Sequence, residues 1–302
     1  MLKNFKEPKV FEYIPEENVP DDLFSDYVKR HTADKVVVYK KTNEDLKIAW
    51  FFPKDFDPTK KYPTFVMIHG GGWASRNKMA DQEEWAGDYL GYMLRYFADK
   101  GCVGAMITYT LLKHENGIEL IDLLADCQDG MNYIADNAAE YGVDLDNVVL
   151  LGESAGGHLA GSMVTDSLHE NRLHLKAGIL ADPITNLFND GWGRGIKDNI
   201  DRPFLKDMIK SEAEMALSPL FNIHKGMPKI ALVHGDADPV VNINQSYCFN
   251  RRMAMLGEDC ELHVIKGATH AFLLREYYNE RSHTKLGVEI VENYLKKIGF
   301  LK

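Results

Sequence analysis

The strongest constraint on the fold is an alternation. Short apolar runs of strand length recur along the chain, and segments with helical spacing lie between them. Residues 64–68 (Thr-Phe-Val-Met-Ile) form a continuous apolar run that ends at His69 and a glycine cluster, and similar runs follow at 103–108, 148–151, 175–181, 229–233 and 260–265. Between them, Trp85, Tyr89, Met93 and Phe97 recur every four residues before Gly101. Further helical segments are expected over 118–141, directly after Ser154, over 245–256 and over 286–298. Apolar runs without polar alternation mark strands buried on both faces, and strands joined through helices require right-handed crossovers. The pattern predicts an α/β fold with a mostly parallel central sheet and helices on both faces, opened by two antiparallel strands at 36–39 and 46–52. No repeat, low-complexity stretch or Gly/Ser/Pro-rich linker divides the chain, so one domain over 1–302 is expected.

One segment breaks the alternation. Residues 186–217 lie between two expected strands but are longer than a single crossover needs. They contain Gly191-Trp192-Gly193-Arg194-Gly195 and an amphipathic run around Phe204, Met208 and Met215. This segment reads as an insertion over the C-terminal edge of the sheet, a lid or substrate wall. The other reading is an ordinary crossover helix with a long loop.

Charge and cysteines narrow the partners. A formal net charge of -10 leaves no concentrated basic face for a nucleic acid or an anionic membrane surface. Cys102, Cys127, Cys248 and Cys260 are far apart and form no C-x-x-C pair, which suits reduced thiols in a reducing compartment. The N-terminal residues lack the apolar run of a signal peptide, and nowhere do about 18 apolar residues run together. A cytoplasmic protein without membrane contact is therefore expected; a homo-oligomer is compatible with the sequence.

Four motifs sit at the C-terminal ends of expected strands. Gly152-Glu153-Ser154-Ala155-Gly156-Gly157 follows the run at 148–151 and opens a helix, the context of a nucleophile elbow. Such a turn strains the serine backbone and aims helix N-terminal N–H groups at a reacting oxygen. The other reading, a serine that simply caps a helix, does not need the flanking glycines. His69-Gly70-Gly71-Gly72-Trp73 supplies consecutive glycines whose bare N–H groups suit an oxyanion hole made by Gly71, Gly72 and Ala155. A flexible turn is the plainer alternative. His234-Gly235-Asp236-Ala237-Asp238-Pro239 and Gly267-Ala268-Thr269-His270-Ala271-Phe272 complete the set and give the chain order Ser, Asp, His. A serine hydroxyl needs a base within hydrogen-bond reach, and the imidazole needs a carboxylate to fix its tautomer. Ser154 is thus the candidate nucleophile and His270 the candidate base. Three carboxylates compete for the acid: Asp182, Asp236 and Asp238. Asp238 is preferred because Pro239 can stiffen its turn, and Asp236 is expected to cap that turn.

Two patterns are set aside. His169-Glu170-Asn171-Arg172-Leu173-His174 spaces its histidines five apart, whereas a helical zinc site needs four, so no metal site is expected. Gly191 to Gly195 follows no strand and is not a dinucleotide fingerprint. Trp73, Trp85 and Trp192 read as core aromatics or, alternatively, as sugar- or acyl-contacting walls, which makes Trp73 and Trp192 candidate substrate-binding residues.

Taken together, the motifs at His69 to Trp73, Gly152 to Ala160, His234 to Pro239 and His270 resemble those of the hormone-sensitive-lipase-like group of carboxylesterases. They are also similar to acetyl and feruloyl esterases acting on plant polysaccharide fragments. Glu153 stands where many bacterial relatives carry aspartate. The resemblance implies an α/β-hydrolase fold, the acid position of an H-G-x-x-D pattern at Asp238, and hydrolysis of short-chain acyl esters through an acyl-enzyme without a cofactor. It extends to a small-molecule or oligosaccharide ester, with acetyl as the expected acyl group. Two alternatives keep the fold: an amide hydrolase, such as a formamidase or peptidase, with the same residues, and a non-catalytic binding protein. Joint retention of serine, histidine, acid and glycines argues against the second.

Overall fold

A computed structural model of the chain describes residues 6–17, 31–76, 90–113, 117–166, 172–188, 215–273 and 281–302. In chain order the described strands are β1 (Lys9–Tyr13), β2 (Lys35–Lys41), β3 (Asp45–Phe51), β4 (Tyr62–Ile68), β5 (Val103–Ile107), β6 (Val143–Glu153), β7 (Leu175–Ala181), β8 (Lys229–Gly235) and β9 (Cys260–Ile265). The described helices are α1 (Gly91–Asp99), α2 (Leu120–Asp136), α3 (Ala155–Val164), α4 (Pro219–Asn222), α5 (Asn244–Leu256) and α6 (Arg281–Lys297). The strands form one nine-stranded sheet in the order β1-β9-β8-β7-β6-β4-β5-β3-β2. Every pairing from β1 to β5 is parallel, and β5–β3 and β3–β2 are antiparallel. This is the mostly parallel, helix-covered sheet that the alternation predicted.

The two faces of the sheet follow from the two-residue period of a strand. Val66, Ile68, Ala105, Val148, Leu150 and Leu232 point into one core with Leu123, Met131 and Leu159 from α2 and α3. Their neighbours Phe65, Met67, Met106, Val149, Leu151 and Val233 point into the other, against Phe97 of α1 and Val288 and Leu295 of α6. Both faces need apolar residues, so these strands carry no polar alternation.

The chain reverses its winding at β4: β5 lies on one side of it and β6 on the other. Loops leaving the C-terminal ends of strands on either side of such a reversal diverge and leave a crevice. The glycine loop after β4 and the turn after β6 border that crevice. The loops after β7, β8 and β9 follow along the same edge.

Three features differ from expectation or fall outside the described residues. Strand β1 was not foreseen: its residues are short, mixed in polarity and largely exposed, and it is a strand because β9 offers it a parallel edge. Strand β6 begins at Val143, paired with Tyr62 before a register shift, and not at the apolar run alone. The helix expected from Trp85 appears over Gly91–Asp99, carrying Met93 and Phe97; Trp85 and Tyr89 lie outside the described residues. So do Gly191 to Gly195, Trp192, Phe204, Met208 and His169, which leaves only the two ends of the 186–217 segment in view. Cys102, Cys127 and Cys260 are buried thiols, and burial raises their pKa, that of Cys102 to about 12. Among the described residues no helix is long and apolar enough to cross a membrane.

Candidate active site

Strand β6 ends at Glu153 and α3 begins at Ala155, so Ser154 alone makes the turn between them, at φ 55° and ψ -118°. A non-glycine residue held there costs about 1–3 kcal/mol and persists only where its surroundings leave no alternative. Close backbone packing supplies that constraint. A Cβ on Gly156 would lie 2.2 Å from Ile68 O, so α3 enters against the end of β4 at a distance no side chain allows. Ser154 N donates to Ala181 O on β7 at 2.9 Å, which fixes the turn from the other side.

The hydroxyl meets an imidazole. Ser154 Oγ lies 2.8 Å from His270 Nε2, and His270 Nδ1 lies 2.7 Å from Asp238 Oδ2. A carboxylate only accepts, so Nδ1 carries the proton and Nε2 presents its lone pair to the serine hydroxyl. Burial opposes a charge on His270, but the hydrogen bond to Asp238 and the negative charges of Asp238, Asp182 and Glu153 outweigh it and raise the pKa to about 9. Burial likewise works against ionised Asp238, yet the hydrogen bonds from His234 and His270 hold its pKa well below the usual carboxylate range. Its Oδ1 accepts Val240 N and Val241 N, both at 2.8 Å. Asp238 therefore caps its own turn. Asp236, expected to do so, instead accepts Gly267 N at 2.6 Å and ties the β8 loop to the β9 loop.

Asp182, the rival acid, is buried and does not reach the imidazole directly. Its oxygens accept Gly235 N at 3.2 Å and Ala271 N at 3.0 Å, while burial pushes its pKa up to about 6. Among the described residues the non-glycine positions with positive φ are Trp73, Ser154, Asp182 and Ala271. All four lie in loops at the C-terminal edge of the sheet, where strain is tolerated for what it positions.

The glycine loop is held by its carbonyls. Tyr109 Oη donates to His69 O at 3.0 Å and Gly70 O at 3.2 Å, and His69 Nδ1 donates to Gly70 O at 2.7 Å. Gly71 O accepts Ser75 N at 3.1 Å and Ser75 Oγ at 2.8 Å. A trans peptide points its C=O and N–H in opposite directions. Anchoring the carbonyls of Gly70 and Gly71 therefore turns the N–H groups of Gly71 and Gly72 away from Tyr109 and Ser75 respectively. Ala155 is the first residue of α3, where a backbone N–H has no acceptor within the helix. Glu153 is buried against this loop; a Cβ on Gly70 would lie 2.2 Å from its Oε2.

Trp73 has no accessible surface in this structure. Its Nε1 donates to His158 Nδ1 at 3.3 Å, and His158 Nε2 donates to Leu217 O at 2.8 Å. Trp73 thus joins the glycine loop through α3 to the end of the 186–217 segment, which is the core-packing alternative and not a wall facing substrate. Trp192 lies outside the described residues.

Sequence reasoning gave no role to His234. Its Nε2 lies 3.0 Å from Val241 O and 3.2 Å from Asp238 Oδ2, and its Nδ1 lies 2.8 Å from Ser246 Oγ. The only signal in the sequence was its place as the last apolar-strand neighbour, four residues before the acid. Asp182, His234 and Asp238 also lie within 4.8 Å of one another, close enough for one cation. The Val241 carbonyl requires a proton on His234 Nε2, which removes the lone pair a metal would take.

The chain is similar to known proteins in sequence and fold. The BD-FAE family profile matches residues 51–253. The apo form of Thermogutta terrifontis esterase 2 superposes with a TM-score of 0.73 and 29% identity over 89% of this chain and 96% of its own. A butyrate-bound form of the same esterase gives 0.69 and 29% over 88% and 95%. A probable isoprenylcysteine alpha-carbonyl methylesterase of Arabidopsis thaliana is 24% identical over 83% of this chain and 52% of its own. The chain spans about half the length of the curated relatives it matches.

Proposed function

The chain belongs to the BD-FAE family and has the α/β-hydrolase fold, and from that premise we propose that it is a serine carboxylesterase with Ser154, His270 and Asp238 as its catalytic triad. The observation that carries this reading is the continuous hydrogen-bonded path from Ser154 Oγ through His270 to Asp238, at 2.8 and 2.7 Å, on a turn strained at φ 55°. His270 Nε2 takes the hydroxyl proton as Ser154 Oγ attacks the ester carbonyl. Asp238 holds the ring and stabilises the imidazolium. The oxyanion is met by the N–H groups of Gly71, Gly72 and Ala155, whose directions are fixed before the substrate arrives. Collapse of the tetrahedral species expels the alcohol, which receives the proton from His270 and leaves an acyl-serine. Water, deprotonated by the same imidazole, then releases the carboxylic acid and restores Ser154.

Short acyl groups are the proposed substrates. The resemblance in the motifs favours acetyl, and a related esterase binds butyrate. An oligosaccharide as the alcohol part rests on motif resemblance alone. The segment 186–217 is proposed as the wall that bounds acyl length. A reducing, cytoplasmic setting remains an inference from cysteine placement. The test is a panel of p-nitrophenyl esters of increasing chain length, with acetylated xylo-oligosaccharides, a methyl ester of a prenylated cysteine and matched anilides. Turnover of esters with loss of activity on fluorophosphonate labelling of Ser154 supports the reading. Anilide hydrolysis without ester hydrolysis replaces it with an amidase, and failure of Ser154 to label removes it.

A further inference from the structure

The hydrogen-bonded path does not stop at Asp238. Its Oδ2 receives two imidazole N–H groups, from His270 Nδ1 at 2.7 Å and from His234 Nε2 at 3.2 Å. On the far side His234 Nδ1 accepts from Ser246 Oγ of α5 at 2.8 Å. The path therefore reads Ser154, His270, Asp238, His234, Ser246, with the carboxylate in the middle. Each bond has one direction. Val241 O can only accept, so His234 Nε2 is the donor, and in the neutral ring Nδ1 is then the acceptor to which Ser246 gives its proton.

A second carboxylate stands beside this path. Asp182 Oδ1 is 3.8 Å from His234 Nε2, and Asp182 Oδ2 accepts the N–H of Ala271, the residue after His270. The groups facing Asp238 are thus His270 from the β9 loop, His234 from β8 and Asp182 from the β7 loop. Those facing His270 are Asp238, Asp182 and Glu153 at the end of β6. Two carboxylates in one water-poor site resist joint ionisation, and the usual outcome is that they share a proton. A donor placed near both relieves that conflict.

We propose that His234 and Asp182 are positioning residues for the esterase reaction: His234 keeps the Asp238 carboxylate ionised and fixed in orientation beside a second buried carboxylate, and Asp182 holds the His270 loop and strengthens the proton affinity of its imidazole. This rests on the triad assigned above. The two residues act in opposite directions on the same titration. Without the His234 N–H, Asp238 Oδ2 loses one of its two imidazole donors and binds His270 more strongly, so His270 keeps its proton to higher pH. Without the Asp182 charge, His270 gives up its proton at lower pH.

The experiment is the pH profile of kcat/KM for p-nitrophenyl acetate in the full chain and in His234→Leu, His234→Gln, Asp182→Asn and Ser246→Ala, with thermal unfolding of each. His234→Leu should move the acid limb up by about one pH unit, equivalent to a tenfold loss on that limb, and lower kcat more than it changes KM. His234→Gln keeps an N–H donor at the position of Nε2 and should return the limb toward its original place. Asp182→Asn should move the limb down. Ser246→Ala should move it in the direction of His234→Leu by a smaller amount. Limbs that stay in place in His234→Leu and Asp182→Asn, with only amplitude or thermal stability altered, would make both residues scaffold and overturn the proposal. His234→Gln behaving like His234→Leu would overturn the donor role. If His234→Leu does not fold, Asp182→Asn and Ser246→Ala carry the same decision. Fluorophosphonate labelling of the unaltered protein separates the two readings: no label at Ser154 overturns the triad, whereas a labelled serine with unmoved limbs overturns this proposal alone.

Discussion

At Ser154 the backbone is as informative as the hydroxyl. A helix-capping serine would have extended φ and ψ and a side chain bonded to the first turn; Ser154 has φ 55°, makes no capping bond and gives its Oγ to His270. Ser154→Ala removes the attacking atom without adding bulk, so p-nitrophenyl acetate turnover should vanish while cooperative thermal unfolding persists. Asp238 divides its labour: Oδ1 caps its own turn and Oδ2 takes the imidazoles. An asparagine can keep the cap, but it cannot serve His270 with a charge, so Asp238→Asn should cost on the order of 10⁴ in kcat. Asp236→Asn preserves an acceptor for Gly267 N and should retain most turnover, with a stability loss of about 1 kcal/mol or less; a dead Asp236→Asn would reverse the choice of acid. The pH dependence follows from His270. Its pKa is raised above 6.5 by the carboxylates around it, and only the neutral ring accepts the serine proton. Accordingly kcat/KM should climb as pH rises past 6.5, and a profile already flat at that pH, with chemistry limiting, contradicts the assignment.

Among the elements, the junction of β4, β6 and α3 sets the geometry that the chemistry uses. Gly156 sits in a helix, where alanine would ordinarily stabilise by about 1 kcal/mol. Here the added Cβ would meet Ile68 O at 2.2 Å, and backbone cannot rotate aside as a side chain can. Gly156→Ala should therefore destabilise by about 1–3 kcal/mol, read from the denaturant midpoint, and should lower kcat because the elbow moves relative to the glycine loop. Tyr109 acts on the other half of the site. Its hydroxyl holds the carbonyls of His69 and Gly70 from beneath, with its ring stacked on His69 at 4.3 Å. Tyr109→Phe keeps the stacking and loses the clamp. The expected loss is about 1–2 kcal/mol of transition-state stabilisation, a factor of about 5 to 30 in kcat with little change in KM. An equal rise in KM would mean that Tyr109 shapes substrate binding instead.

Over the whole molecule, the proposed site residues come from loops after β4, β6, β7, β8 and β9, and a single sheet edge brings them together. The same edge receives the stem of the 186–217 segment. Leu220 N bonds Thr185 O at 2.9 Å, Leu187 N bonds Ser218 Oγ at 2.9 Å, and Gln245 Oε1 accepts Thr185 N and Asn186 N at 2.9 and 2.7 Å. His158 of α3 also bonds Leu217 O, so the stem is tied to the helix that follows Ser154. This anchoring supports the proposal that the segment bounds acyl length. Trp192→Ala and Phe204→Ala should raise the ratio of butyrate to acetate turnover; an unchanged ratio in both variants makes the segment scaffold.

Much of this was legible in the sequence for a definite physical reason. Strands buried on both faces must be apolar throughout, so β4 through β9 announce themselves, and a turn as tight as that at Ser154 tolerates little beyond glycine around it, so the elbow does as well. Chain order then pointed to Ser154 and His270 as candidate nucleophile and base, and left three carboxylates for the acid. What the sequence could not carry was anything decided by a partner distant along the chain. Strand β1 exists because β9 has a free edge. Trp73 turned inward because His158 offers its indole an acceptor. Asp236 and Asp238 exchanged their expected capping role because Gly267 N approaches one of them across two loops. The choice among three strand-end carboxylates, and the second imidazole beneath the chosen one, depend on distances of a few tenths of an ångström between β7, β8 and β9. Residue identity specifies which groups can donate and accept; only the folded sheet edge decides which of them meet.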